Sequence, residues 1–138
     1  MPDMNRFNLS KYRLQSAKEK YDAAIILYNE GKYLDAVNRA YYSIFSSIRS
    51  VLALEAIDFK KHSGIISYFR QKYIKTEIFS KELSDVIGAA FLLRNQSDYE
   101  DFFIVSNEES KNQCDNAFRF YKEVSDYLIK VWDDKHAE

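Results

Sequence analysis

Residues Tyr33 to Glu55, YLDAVNRAYYSIFSSIRSVLALE, constrain this chain more than any other stretch. Apolar residues recur at Tyr33, Val37, Tyr41, Ile44, Ile48 and Val51. Steps of three and four place side chains on one face of an α-helix. Ala40, Phe45 and Leu52 widen that face to the broad stripe of a core helix. A second stripe, Arg39, Tyr42, Ser46 and Arg49, mixes cations, hydroxyls and one ring. One reading of it is a solvated helix face. The other is a homodimer surface or a set of phosphate contacts, because arginine forks onto phosphate in bidentate fashion.

The rest of the chain agrees with a helical fold. Only 3 Gly and 1 Pro occur in 138 residues, too few for the turns of an all-β protein. The length suits one domain with a real core. Aromatic residues make up 16%, and much of that is core filling by rings that keep a wet hydroxyl. The net charge of −1 excludes a strongly basic nucleic-acid binder, though a local basic patch suffices for RNA. The single cysteine, Cys114, excludes an internal disulfide and fits a reducing cytoplasm, as a small apolar residue on a helix. The N-terminal MPDMNRFNLSKYRLQ lacks the apolar core of a signal peptide, and no apolar run reaches the length of a membrane span. His62 and His136 stand far apart without a second ligand at metal-binding spacing, so neither a metal nor another cofactor is expected.

In chain order, a first helix is predicted from about Asn8 to Glu30, with Leu14, Ala17, Tyr21, Ala24, Ile25 and Tyr28 inward. Asn8 or Ser10 is its expected cap. Gly31 stands where a helix ends in a left-handed residue, and the short link makes helices one and two an antiparallel hairpin. Residues 56–61 break the pattern. His62 to Lys75 reads as a shorter helix with Ile65 or Ile66, Phe69 and Tyr73 inward. Ser80 is the expected cap of a fourth helix carrying Leu83, Val86, Ile87, Ala90 and Phe91. Ser106 and Glu109 form a capping box for the last, which carries Cys114, Ala117, Phe120 or Tyr121, Val124, Leu128 and Val131 before an unwound DDKHAE tail. Residues 95–105 have no assigned structure. The expected architecture is an all-α antiparallel bundle of four long helices and one short helix, spanning a single domain.

Helix four breaks its own pattern. The inward series Leu83, Ile87, Ala90 continues to Arg94, and Asp98 follows four residues later. Charges on an inward stripe need partners, since an unpaired buried charge costs several kcal/mol. Either an Arg94–Asp98 salt bridge closes the helix end, or Arg94, Asn95, Asp98 and Tyr99 line a polar pocket there, and the two are compatible. His62, beside Ser63 and Gly64, reads as a cap or as a hydrogen-bond partner across the bundle. No phosphate loop, nucleophile elbow or metal-ligand spacing is present.

Three separated motifs, AKEKYDAAIILYNEGKYLDAVNRAYYSIF, KKHSGIISYF and LLRNQSDYEDFFIVSNEES, occur in the order and at the spacing of the small stand-alone HEPN domain proteins, which this chain resembles from about Ser10 to Trp132. The resemblance implies a bundle of four or five helices that dimerises with two active-site segments facing each other. It implies metal-independent endoribonuclease activity through an Arg followed after four to six residues by a His. It also implies pairing, as toxin, with a minimal nucleotidyltransferase antitoxin, which in some pairs adds AMP to a tyrosine near the motif. Arg94 matches the motif's arginine and Asn95 follows it as in many members. The histidine window falls on Tyr99, Glu100 and Asp101, where no histidine stands. Imidazole titrates near pH 7, whereas unperturbed Tyr near 10 and Asp near 3.9 exchange protons poorly there. The R…SDY form recurs in the family's small proteins, which makes Asp98 and Tyr99 its candidate working pair and Tyr99 the candidate AMP acceptor.

Two functions follow from this resemblance. One is a ribonuclease toxin in which Arg94 binds the scissile phosphate, Asp98 and Tyr99 orient or exchange protons, and Arg39 and Arg49 guide RNA. The other is a non-catalytic module that binds a nucleotidyltransferase or a nucleotide, favoured by the missing histidine.

Overall fold

The computed structural model describes residues 2–137, with side chains from 5 to 134. Five helices follow one another: α1 (Pro2–Asn29), α2 (Tyr33–Leu52), α3 (His62–Phe69), α4 (Glu82–Tyr99) and α5 (Asn107–Ala137). No strand occurs among the described residues. This is the expected all-α bundle, with α3 as the short member. No helix is long and apolar enough to cross a membrane among the described residues.

α2 is the central element and packs on α1, α3, α4 and α5. Its predicted apolar face is buried at Val37, Ala40, Tyr41, Ile44, Phe45, Ile48, Val51 and Leu52. The burial extends round the helix to Ser43, Ser47 and Ser50, which the periodicity did not mark. These small residues meet Ala17 and Ser10 on α1 and let the two backbones approach. Ser43 donates a hydrogen bond to the Ala17 carbonyl at 2.8 Å, and Ser10 donates to the Ser50 carbonyl at 2.7 Å. The Ser10, Ser43 and Ser50 hydroxyls are therefore satisfied inside the core, whereas the buried Ser47 hydroxyl has no hydrogen-bond partner among the described residues.

The first helix starts earlier than the sequence suggested. Phe7, Ser10, Leu14 and Ala17 are all buried and carry the inward face two turns N-terminal of Leu14, its first expected residue. Neither Asn8 nor Ser10 is a cap: Asn8 is exposed in mid-helix, and the Ser10 hydroxyl is used across the hairpin. Pro2 stands at the first position, where its missing N–H costs nothing. The other end is as expected. Gly31 has φ +79°, and the Gly31 and Lys32 amides return to the Tyr28 and Leu27 carbonyls in a Schellman closure.

After α3 the chain unwinds slightly into a wider π turn over Arg70–Ile74, where the Lys75 amide reaches the Arg70 carbonyl at 2.8 Å. The turn keeps Tyr73 and Ile74 buried beside Phe69. Phe69 is the aromatic centre of the core, with ring centroids 5.6 Å from Tyr73, 5.4 Å from Phe79 and 5.8 Å from Phe120. Both Ile65 and Ile66 are buried, and on α5 the fully inward ring is Phe120 rather than Tyr121.

Ser80 does not cap α4. Its amide and hydroxyl both donate to the Glu123 carboxylate, at 2.7 and 3.1 Å, tying the start of α4 to α5. The Ser106–Glu109 capping box does form, with reciprocal bonds of 3.1 and 3.0 Å. α5 continues through Ala137 in place of the unwound tail, with no Gly or Pro after Trp132 to stop it, and Glu138 lies outside the described residues. The unassigned segment resolves in two parts: α4 extends to Tyr99, and residues 100–106 cross to α5 outside any helix.

Candidate functional site

α4 buries Leu83, Val86, Ile87 and Ala90, then runs out of the core at its C-terminal turns. Arg94 and Asp98 occupy that exit. The Arg94 side chain is 24% exposed and the Asp98 side chain 40%. Their ion pair forms at 3.5 Å through Arg94 Nε. Arg94 Nη2 also donates to the Tyr42 hydroxyl at 3.2 Å. The guanidinium carbon stands 5.2 Å from the Tyr41 ring centroid and 5.7 Å from that of Tyr42. Those two rings meet edge to face at 5.2 Å. Arg94 is thus held on an aromatic platform supplied by consecutive residues of α2. Burial works against its charge, but the Tyr42 hydrogen bond, the two phenols and Asp98 outweigh it, and its pKa is raised. A guanidinium has five N–H donors, so these contacts leave Nη1 able to take an oxyanion.

Beyond the platform lies His62, the first residue of α3. It makes no cap. Its Nδ1 lies 3.0 Å from the Tyr41 hydroxyl, and its ring stacks on Phe45 with centroids 3.9 Å apart. Of the two sequence readings, the hydrogen bond across the bundle is the one realised. Burial first, then the positive charges of Arg94 and Arg49, pulls the imidazole below its ordinary pKa of 6.5. Burial pushes the Tyr41 phenol up to about 12 against the pull of Arg94.

The remaining predicted residues divide. Arg49 pairs with Asp58 at 2.9 Å, and Arg13 approaches the same carboxylate at 3.9 Å. Arg39 is exposed and makes no ion pair among the described residues. It lines a groove of about 450 Å³ with Leu27, Asp35, Asn38 and Tyr42. The two arginines of the second stripe therefore have different surroundings, one neutralised and one open. Asn95 is half-buried without a hydrogen bond. Tyr99 is 83% exposed at the last residue of α4. Phe102 and Ile104 follow it at 98% and 84% exposed, with Phe102 in the left-handed region at φ 60°.

Three contributors were not singled out as site residues from sequence. Tyr41 was read as core, which it is, yet it joins Arg94 to His62. Asn38 accepts from the Ser97 hydroxyl at 3.2 Å, and that hydroxyl also donates to the Arg94 carbonyl at 2.8 Å. Together these bonds dock the end of α4 on α2. The adjacent Tyr41–Tyr42 pair was the available signal, since neighbouring helical positions face 100° apart and only one ring can sit deep in the core. Among the described residues, no group of three or more His, Cys, Asp or Glu is arranged to hold a metal ion.

The sequence matches a family model described as HEPN domain over residues 10–132. A Methanocaldococcus jannaschii protein named as a "Putative toxin" is 32% identical over 116 residues, covering 84% of this chain and 79% of the relative. A "UPF0332 protein" of Thermotoga maritima is 30% identical over 110 residues, covering 80% and 83%. A second "Putative toxin" of M. jannaschii is 34% identical over 86 residues, covering 62% and 64%.

Proposed function

This chain belongs to the HEPN domain family, and from that premise we propose that it is a cytoplasmic toxin-like protein that cleaves RNA without a metal ion and is held in check by a nucleotidyltransferase partner. The observation that carries this reading is the half-buried Arg94, fixed over the Tyr41 and Tyr42 rings with donors to spare. A guanidinium so restrained is pre-organised for the charge that develops on a phosphodiester during cleavage. Asp98 holds the Nε side of the fork and orients it. Arg39, open in its groove beside Tyr42, guides the flanking RNA strand. Arg49, already paired with Asp58, contributes field rather than a free fork. Tyr99, exposed at the end of the same helix, is reachable by a partner enzyme and is the proposed site of AMP addition.

Purified full-length protein incubated in EDTA with total tRNA and mixed mRNA is expected to cut RNA, and Arg94→Ala to abolish cutting. Cleavage that needs added metal, or that is unchanged in Arg94→Ala, overturns the reading. A homodimer is part of the proposal, and light scattering at micromolar concentration giving a mass near 16.3 kDa contradicts it.

The second reading is a non-catalytic module that binds the nucleotidyltransferase or a nucleotide. Two observations favour it: the empty histidine window at Tyr99, Glu100 and Asp101, and the exposed apolar series Tyr99, Phe102, Ile104. It predicts no cleavage and heat on titration with ATP or AMP, or a co-purifying partner. Absence of both titration heat and a co-purifying partner rejects it.

A further inference from the structure

The proposed ribonuclease reading lacks a proton-transfer group, because the histidine window of α4 holds none. The fold supplies an imidazole from elsewhere. His62 begins α3, and a single phenol ring separates it from the guanidinium: Arg94 stacks over Tyr41, whose hydroxyl meets His62 Nδ1 at 3.0 Å. Phe45 stacks on the other side of the imidazole. The ring is therefore held in one orientation by two α2 side chains. We infer that His62 is the acid–base group of this site, exchanging a proton through Nε2 with a phosphodiester that Arg94 holds. The inference rests on the ribonuclease reading and assigns its missing residue.

The chemistry balances with one imidazole. With Nδ1–H donating to the Tyr41 oxygen, Nε2 carries the lone pair. Nε2 takes the proton from the ribose 2′-hydroxyl as O2′ bonds to phosphorus. The P–O5′ bond breaks, and O5′ leaves as a hydroxyl after taking a proton from the imidazolium or from water. The products are a 2′,3′-cyclic phosphate and a 5′-hydroxyl end. Tyr41 is a positioning residue: its hydroxyl engages Nδ1, leaves Nε2 for the proton exchange and never touches substrate. The charged groups around His62 favour its neutral, base form near pH 7. Arg94 faces it from α4 and Arg49 from α2, the latter tempered by Asp58. Lys60 and Lys61, which precede His62 in sequence, add positive charge to the same loop.

The test combines His62→Asn with an imidazole titration. Asparagine keeps a donor where Nδ1–H stands but cannot exchange a proton, and thermal unfolding verifies that the variant is folded. Cleavage of a short RNA in EDTA is expected to fall on the order of 10²-fold or more in kcat, with KM changed by less than about two-fold. The acidic limb of the wild-type pH profile disappears with the imidazole. Separately, the His62 ring is titrated by NMR with and without the 2′-deoxy counterpart of that RNA, the two histidines being told apart by the variant. Bound phosphodiester is expected to raise the His62 pKa, and Arg94→Ala to reduce that rise. An unmoved titration in the presence of bound oligonucleotide overturns the inference whether or not RNA is cut. Full cleavage by His62→Asn, with Arg94→Ala inactive, also overturns it and leaves the ribonuclease reading standing. Absence of cleavage by the wild type defeats the ribonuclease reading and His62's acid–base role with it, while the titration still decides whether His62 faces the phosphate.

Discussion

Arg94→Ala separates the structural role of this residue from the catalytic role proposed for it. The structural role is small and can be summed from contacts. The hydrogen bond to Tyr42 contributes about 0.5–1.5 kcal/mol net. The two ring contacts contribute about 0.5 kcal/mol each at a partly wet site. The i,i+4 pair with Asp98 adds about 0.3 kcal/mol, at the low end because Asp98 is 40% exposed. Water reaches the freed Tyr42 hydroxyl, so no buried orphan is left. The variant is expected to lose about 2–3 kcal/mol, or about 6–9 °C in Tm for a chain of this size. The proposed catalytic role is larger. Removing a fixed donor from a developing oxyanion costs about 2.7–4 kcal/mol, or about 10²–10³-fold in kcat. Urea unfolding of wild type and variant with unchanged slope, run beside the EDTA cleavage assay, measures both. Arg94→Lys keeps the charge without the fork and belongs between the two in activity. A stability loss above about 4 kcal/mol would make Arg94 a core strut and refute the site argument. A loss too small to detect would mean that the ring platform does not hold it.

Other predictions test the frame around the site. Phe69→Ala, at the fully buried junction of Tyr73, Phe79 and Phe120, is expected to cost about 3–5 kcal/mol in chemical unfolding. Acidification tests His62: its folded pKa is below 6.5, so the unfolded chain binds more protons and stability falls as pH drops from about 6.5. His62→Asn flattens that part of the pH–stability curve, and an unaltered curve refutes the assignment. Alkali tests Tyr41: with the phenol raised from 10.0 to about 12, its contribution is intact below pH 10 and is lost as pH rises through that interval. Tyr41→Phe removes this dependence.

What was readable in the sequence was what depends on local period and on end chemistry. α2 showed its buried stripe because Val37, Tyr41, Ile44, Ile48 and Val51 follow the helical repeat, and Gly31 and the Ser106–Glu109 box mark ends whose geometry is local. The α1 start was missed because Asn8 and Ser10 are good caps in isolation, while the buried bond from Ser10 to the Ser50 carbonyl spans forty residues. Ser80 misled for the same reason, its hydroxyl being claimed by Glu123 on another helix. The π turn at Arg70–Ile74 left no mark in the apolar pattern. At the site, Arg94 and Asp98 were legible as a violation of an inward stripe. Tyr41 was not, because a buried tyrosine at a core position looks like packing until the partner of its hydroxyl is known. The proximity of His62 to that hydroxyl depends on how α3 lies against α2, which spacing does not encode.

The two readings of the family meet on one surface. A helix rises about 1.5 Å per residue, so Tyr99 lies roughly 7.5 Å along α4 from Arg94. Tyr99, Phe102 and Ile104 are open to solvent there, and Phe102 accepts a left-handed backbone that costs an aromatic residue about 1–2 kcal/mol. A protein partner that buries these three side chains lies across the last turn of α4. RNA approaching Arg94 from the Arg39 groove needs the same turn uncovered. On the proposed function, partner binding and RNA binding would then compete by geometry, without any change in the fold of the bundle. The AMP proposed for Tyr99 would act in the same direction, because it would put a phosphate and a base where the substrate's flanking nucleotide would pass. Arg94 offers that phosphate the same free donors it offers RNA. On the proposed function, such a toxin would be silenced by occupying its own phosphate site, and removal of Tyr99 alone would leave Arg94 untouched.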